Sequence, residues 1–238
     1  MIDFPSPNFD RRPDGVPIDI LVLHYTGMPS AQAALARLTD DKADVSAHYL
    51  IDEDGTSYAL VDESHRAWHA GLSAWRGQTN INARSIGIEL VNPGHEFGYR
   101  PFPQPQMVAL TSLAKEILTR HPIPSRNVVG HSDIAPRRKE DPGELFDWKE
   151  LAANGIGLWP ELQGPIDNSL VKADWPRRLG LLGYDVSDRD GDAAGMAGQA
   201  ALAAFQRHFR PTRIDGIADF ETIALLNALL WIMDMERR

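Results

Sequence analysis

Ile18-Asp-Ile-Leu-Val-Leu-His24 is the stretch on which the fold of this chain turns. Ile18–Leu23 is a short, nearly continuous apolar run, read as a buried strand that ends at His24. Outward from it, Ala31–Leu38 has helical spacing, and Ala47–Ile51 and Ser57–Val61 flank Asp52-Glu-Asp-Gly55, whose Asp-Gly suits a hairpin. Ser85–Val91 (SIGIELV) reads as another core strand. Gln104–Arg120 carries Met107, Leu110, Ala114, Ile117 and Leu118 on one side, an amphipathic helix stopped by Pro122. Val128-Val129 is a brief strand that delivers His131. Strands interleaved with helices predict an α/β domain with a mixed central sheet flanked by helices.

The later sequence changes character. Gly155-Ile-Gly-Leu-Trp-Pro160, followed by Gly164-Pro165, is the densest late run of breakers and reads as a linker dividing residues 1–160 from 161–238. Seven of the eight histidines precede it, and only His208 follows. Beyond it, Leu202, Phe205 and Phe209 fit one helix face, and an amphipathic stretch runs from Asp215-Gly216 to Met233. The expectation is a small C-terminal three-helix domain.

Composition narrows the chemistry. With 24 Lys+Arg against 33 Asp+Glu, and no basic stripe, a nucleic-acid partner is not expected. The absence of Cys excludes disulfides, a thiol nucleophile and any thiolate metal site, so a metal would need imidazole and carboxylate ligands. The first twenty residues lack the apolar run of a signal peptide, and Ile223–Met233, interrupted by Asn227, is far short of the ~20 residues that span a bilayer. These features predict a soluble protein without a membrane span, with the cytoplasm favoured and the periplasm or cell envelope as the alternative.

His24 and His131 each end a short apolar strand, and Asp141 follows ten residues after His131. Two neutral imidazoles and a carboxylate make a three-ligand site that leaves a fourth position open, as catalytic zinc requires. On spacing alone a lone histidine at a strand end is more often a satisfied structural residue than a ligand, and Asp133 is a rival ligand, though more plausibly the start of a turn. Glu89 interrupts an apolar run, where a buried carboxylate must be paired, metal-bound or catalytic, unless it faces solvent. Lys139, two residues before Asp141, shares its side of an extended segment or is simply solvated.

His24-Tyr-Thr, Ser46-Ala-His-Tyr49, Trp68-His-Ala-Gly71, Asn82…Ser85-Ile-Gly-Ile-Glu89, Gly130-His-Ser-Asp-Ile-Ala-Pro136 and Lys139-Glu-Asp-Pro-Gly143 occur in an order that resembles the type 2 N-acetylmuramoyl-L-alanine amidases. This zinc family is shared with phage-lysozyme-like amidases and peptidoglycan recognition proteins, and the likeness is to its AmpD/AmiD branch, whose third ligand is Asp rather than Cys. The resemblance implies that His24, His131 and Asp141 hold one zinc ion and that Glu89 and Lys139 are the catalytic pair. It also implies that Tyr25, His48, Trp68, His69, Asn82 and Arg84 belong to the substrate side, with His48 equally readable as a buried structural residue. His65, His95 and His121 match no motif position.

From about Asn168 the chain resembles the small helical peptidoglycan-binding domain often attached to such enzymes, carried by Ala201…Ala204-Phe-Gln-Arg207 and Asp215-Gly-Ile…Glu221-Thr222. Asp219-Phe220 departs from the usual Gly-Pro, so this part either binds glycan or only packs on the first domain. The implied activity is zinc-dependent cleavage of the amide between the lactyl group of N-acetylmuramic acid and the L-alanine of peptidoglycan or muropeptides. The alternative is a recognition module that holds muropeptide without cutting it. A serine hydrolase is not favoured, because Ser46, Ser85 and Ser132 lie outside any Gly-x-Ser-x-Gly elbow.

Overall fold

A computed structural model of the chain describes residues 1–162, 174–188 and 195–235. Its centre is a six-stranded mixed sheet. In chain order the sheet strands are β1 (Ile2–Asp3), β3 (Ile20–Tyr25), β4 (Tyr49–Ile51), β5 (Ser57–Ala59), β9 (Ser85–Leu90) and β10 (Val128–Gly130). They lie side by side as β1-β5-β4-β9-β3-β10, with only β4 and β5 antiparallel. Short two-stranded pairs, β2 (Phe9–Arg11) with β6 (His65–Ala67) and β7 (Ala74–Trp75) with β8 (Gln78–Thr79), flank it. The hairpin expected at Asp52–Gly55 joins β4 to β5, with Gly55 at φ +89°.

The decisive strand runs Ile20–Tyr25, two residues later than the apolar run suggested. Pairing starts at Ile20 opposite Ser85 and continues through His24 opposite Glu89 and Tyr25 opposite Leu90, so His24 lies within the ladder. Alternation then sorts its side chains. Leu21 and Leu23, with Ile86, Ile88 and Leu90 of β9, pack beneath α3 (Gln104–Arg120) on Leu110, Ala114 and Ile117. Ile20 and Val22 face the opposite way, as does His24.

That second face has two coverings. Helix α1 (Ala31–Leu38), capped by the Ser30 side chain, packs Ala34, Leu35 and Leu38 on Leu50, Leu60 and Val91. On the other side, three helices of the C-terminal part, α6 (Trp175–Leu182), α7 (Met196–Phe209) and α8 (Phe220–Met235), bury Leu179, Leu202, Phe205, Leu226 and Met233 in one core with Ile20, Val22, Val129 and Ile134. The three-helix expectation therefore holds among the described residues, and these helices share an apolar core with the sheet. Gly164-Pro165 and Asn168, used to place the linker and the start of the helical part, lie outside the described residues. The other described helices, α2 (Gly94–Phe97), α4 (His131–Ile134) and α5 (Trp148–Ala153), are short, and no described helix is long and apolar enough to cross a membrane.

Candidate metal centre and active-site groove

The parallel register brings His24 and Glu89 to adjacent positions at the C-terminal ends of β3 and β9. In the next strand, β10, Gly130 pairs with Leu23, so His131 leaves the ladder beside His24 as the first residue of the short helix α4 (His131–Ile134). The chain then returns. The Ser132 N–H donates to the Asp141 carbonyl at 2.9 Å, and Gly130 packs so closely on Pro142 that a Cβ there would lie 2.8 Å from its ring. Two ligand-type residues from neighbouring strands and one from the returning loop thus meet at one rim.

His24 Nδ1, His131 Nδ1 and Asp141 Oδ2 form a triangle with edges of 3.0, 3.0 and 3.1 Å. All three residues are buried. Their outer partners assign the protons. Ser85 Oγ–H donates to the Ile81 carbonyl at 2.8 Å and accepts from His69 Nε2–H at 3.0 Å, which leaves His69 Nδ1 to accept from His24 Nε2–H at 2.9 Å. His131 Nε2–H donates to the Ala70 carbonyl at 3.1 Å. In the neutral rings both Nδ1 atoms are then bare lone pairs, aimed at a carboxylate oxygen. Three acceptors with no proton between them call for a cation. Tetrahedral zinc with ~2.0–2.1 Å bonds sets its ligand atoms ~3.3 Å apart, close to the edges seen here. The donor set fits the ion.

Electrostatics agree with that arrangement. Burial and the neighbouring His131 hold His24 neutral, its pKa pushed down to about 4. Burial opposes ionisation of Asp141, yet the two imidazoles keep its carboxyl well below the ordinary range. Glu89 is the reverse case. Burial and then Asp141 push its pKa well up against the opposing pull of Lys139, and Glu89 Oε2 is enclosed with no hydrogen-bond partner among the described residues. A groove of about 410 Å³ opens over this rim, lined by Tyr25, Glu89 and Lys139 together with Arg37 of α1 and Arg138.

The remaining candidates separate. Tyr25 lines the groove, and its hydroxyl meets His95 Nδ1 at 2.9 Å. His95 also contacts Glu144 at 3.1 Å and stacks on Tyr99, a rim cluster that no motif indicated. His69 reaches the groove floor, but both ring nitrogens are engaged behind His24, and its ring lies flat on Gly87, where a Cβ would sit 2.5 Å away. Asn82 is placed as a brace, its Oδ1 accepting from the N–H groups of His69 and Ala70 at 3.1 and 2.7 Å. His48 is fully buried; its Nδ1 accepts from the Gly87 N–H, and burial with the nearby Arg12 pushes its pKa down to about 3. Trp68 is half-buried and bonded through its backbone to Ser46. Arg84 lies just before β9, at the end opposite Glu89, and pairs with Asp19 at 2.5 Å. Asp133, the rival ligand, points away from the triangle, toward Tyr184 and His208.

A buried His–His–Asp triangle at strand ends that could hold a metal ion, with a carboxylate and an ammonium lining one groove, is the kind of arrangement that metal-dependent hydrolases use. Residues 14–144 match the N-acetylmuramoyl-L-alanine amidase family, and the chain belongs to it: hydrolases of the bond between N-acetylmuramic acid and L-alanine. The N-acetylmuramoyl-L-alanine amidase AmiD of Escherichia coli is 43% identical, covering 90% of this chain and 82% of that protein. The 1,6-anhydro-N-acetylmuramyl-L-alanine amidase AmpD of Haemophilus influenzae is 37% identical over 63% of this chain and 89% of its own length. Among solved structures, AmpDh3 from Pseudomonas aeruginosa matches with a TM-score of 0.80 at 36% identity, covering 96% of this chain and 98% of that one. AmiD from E. coli, in complex with anhydro-N-acetylmuramic acid-L-Ala-D-γ-Glu-L-Lys, gives 0.80 at 40% identity, with 93% of both chains covered.

Proposed function

We propose that this chain is a zinc-dependent amidase that cleaves the lactyl–L-alanine amide of muropeptides, with anhydro-muropeptides among its substrates. The observation that carries the reading is the convergence of His24 Nδ1, His131 Nδ1 and Asp141 Oδ2, three lone-pair donors within 3.1 Å of one another. The anhydro form is suggested by AmiD and AmpDh3, whose structures hold anhydromuramic peptides.

In the proposed mechanism His24, His131 and Asp141 hold one zinc ion. When bound, such an ion polarises a carbonyl and lowers the pKa of its water to about 7. Glu89, whose raised pKa suits a group that must both take and return a proton, accepts the proton of the attacking water. It then delivers that proton to the alanine nitrogen as the C–N bond breaks. The Lys139 ammonium stabilises the negative charge growing on the carbonyl oxygen. Tyr25 lines the entry, whereas His69, Asn82 and His48 act from behind by fixing the ligands and β9. Division near residue 160 into a catalytic and a helical peptidoglycan-binding-like unit is supported by the family match ending at 144 and by AmpD covering only 63% of this chain.

The test is metal analysis with chelation and readdition. The protein should carry one zinc per chain, lose amidase activity on anhydro-muropeptide when stripped, and regain it with zinc. A metal-free protein of full activity would overturn the reading, and one that binds muropeptide without turnover would favour the recognition module.

A further inference from the structure

Asp133 is almost completely buried, at 1% exposure, two residues after a proposed ligand, and the mechanism above does not use it. Three donors converge on its carboxylate. The Gly130 N–H reaches Oδ2 at 2.7 Å, closing the start of the short helix that His131 begins. His208 Nδ1–H reaches the same oxygen at 2.7 Å, and the Tyr184 hydroxyl reaches Oδ1 at 2.7 Å. Two of the three donors therefore come from the C-terminal part, 51 and 75 residues further along the chain.

Neither donor is free to swing away. The His208 ring is stacked between Trp148 and Phe209, with centroids 3.8 Å apart on each side. Tyr184 is wedged edge-on against Trp75 at 5.1 Å and is itself buried. A buried carboxylate stripped of such partners costs the full desolvation of its charge, so the native arrangement is strongly preferred. Its consequence reaches the rim directly. Asp133 fixes Gly130 and the turn 131–134, the Ser132 N–H in that turn holds the Asp141 carbonyl, and His131 and Asp141 supply two corners of the triangle.

We propose that Asp133 is a positioning residue for His131 and Asp141, locked by Tyr184 and His208, so that the C-terminal helices set the affinity of the metal site. The proposal rests on the reading of His24, His131 and Asp141 as ligands. It gives these helices a role inside the amidase, separate from any contact with glycan. Partners one shell outside a ligand commonly change metal affinity by ~10–100-fold, and this clamp acts through the turn that carries the ligands.

The experiment uses the full chain. Zinc affinity is measured by competition with a chromophoric chelator, and geometry by the visible absorption of the cobalt(II)-substituted protein. Tyr184→Phe removes one hydroxyl and keeps the ring, and Tyr184→Phe with His208→Leu removes both outer donors. The double variant should bind zinc about tenfold or more weakly and show altered cobalt bands. His208→Gln, which keeps an N–H donor, should bind zinc more tightly than His208→Leu. Leu226→Ala, which removes apolar packing in the same core but no donor to Asp133, should lower the melting temperature yet leave zinc affinity and cobalt bands at wild-type values. A double variant within twofold of wild type, or a Leu226→Ala protein that weakens zinc equally, would overturn the clamp. Failure of the wild-type protein to bind zinc would instead overturn the ligand assignment, and the clamp with it.

Discussion

His24 and Glu89 meet because two parallel strands pair residue by residue; His208 and Asp133 meet with no strand between them, through helices laid on the sheet. The first kind of contact is written into local order. Once β3 and β9 are in register, their C-terminal ends must present these side chains at the same height. The second depends on docking, where Leu202, Phe205 and Leu226 cover Val22, Val129 and Ile134 and carry two polar groups to one buried carboxylate. Backbone pairing sets His24 beside Glu89, and the packing behind the sheet restrains the turn next to them.

The largest expected effect tests the pairing side. Asp141→Ala should eliminate both stoichiometric zinc and turnover, measured by metal content and release of stem peptide. Asp133 cannot take over, because its two oxygens are already satisfied by three donors. Full zinc in the Asp141→Ala protein would break the account of the triangle. Next comes Glu89→Gln, which should keep zinc and substrate binding while slowing turnover on the order of 10²–10⁴-fold. Loss of metal in that variant would make Glu89 a ligand, and near-normal turnover would remove it from the chemistry.

The docking side gives a smaller effect on activity and a larger one on stability. Phe205 is fully buried between the helices and the sheet, so Phe205→Ala should cost about 3–5 kcal/mol, read from denaturant unfolding. A fragment of residues 1–160 would expose the apolar face formed by Ile20, Val22 and Val129 and leave Asp133 with one donor in place of three. It should melt early or aggregate. A fragment that melts as late as the whole chain and cleaves soluble muropeptide at the same rate would show that the two parts are energetically independent.

Much of this was legible from residues alone, and the exceptions have physical causes. The helices Ala31–Leu38 and Gln104–Arg120 keep the bounds that their apolar spacing implied, because spacing reports the buried face directly. The strand at residue 20 shifted because ladder pairing, which apolarity does not encode, extends to Tyr25. His24 and Asp141 stand 117 residues apart, so only the ordered motifs, not spacing, could join them. His69 reads as a groove residue and does line the groove floor; its packing against β9 is signalled by Gly87 in mid-strand, a mark of close approach. Arg84 shares a motif with Glu89 but falls at the other end of β9, since a strand advances ~3.3 Å per residue. Asp133 reads locally as a rival ligand or the start of a turn, and Tyr184 and His208 carry no local signature beyond one histidine in an otherwise histidine-poor tail.

The smallest expected effect involves neither contact and shows what a purely structural carboxylate does here. Glu63 accepts from the Tyr49 hydroxyl at 2.7 Å, Arg120 at 2.7 Å and His121 at 2.7 Å, pinning the end of α3 to the sheet. Burial opposes its ionisation, but Arg120, His121 and Tyr49 outweigh burial and bring its pKa from 4.5 down to about 2. A folded-state pKa below the unfolded one means that stability is present in full above the unfolded value and drains away as pH falls through the folded value. Arg120 is nearly half exposed, so solvent screening reduces the contribution to about 1–2 kcal/mol. Glu63→Gln should therefore melt a few degrees below wild type at pH 7, on the order of 2–8 °C for a chain of this size. The gap should close between pH 5 and pH 2 and narrow in 1 M salt. Zinc content and turnover should be unchanged. A gap that stays constant across that range would mean that the side chain's shape, rather than its charge, holds α3 in place.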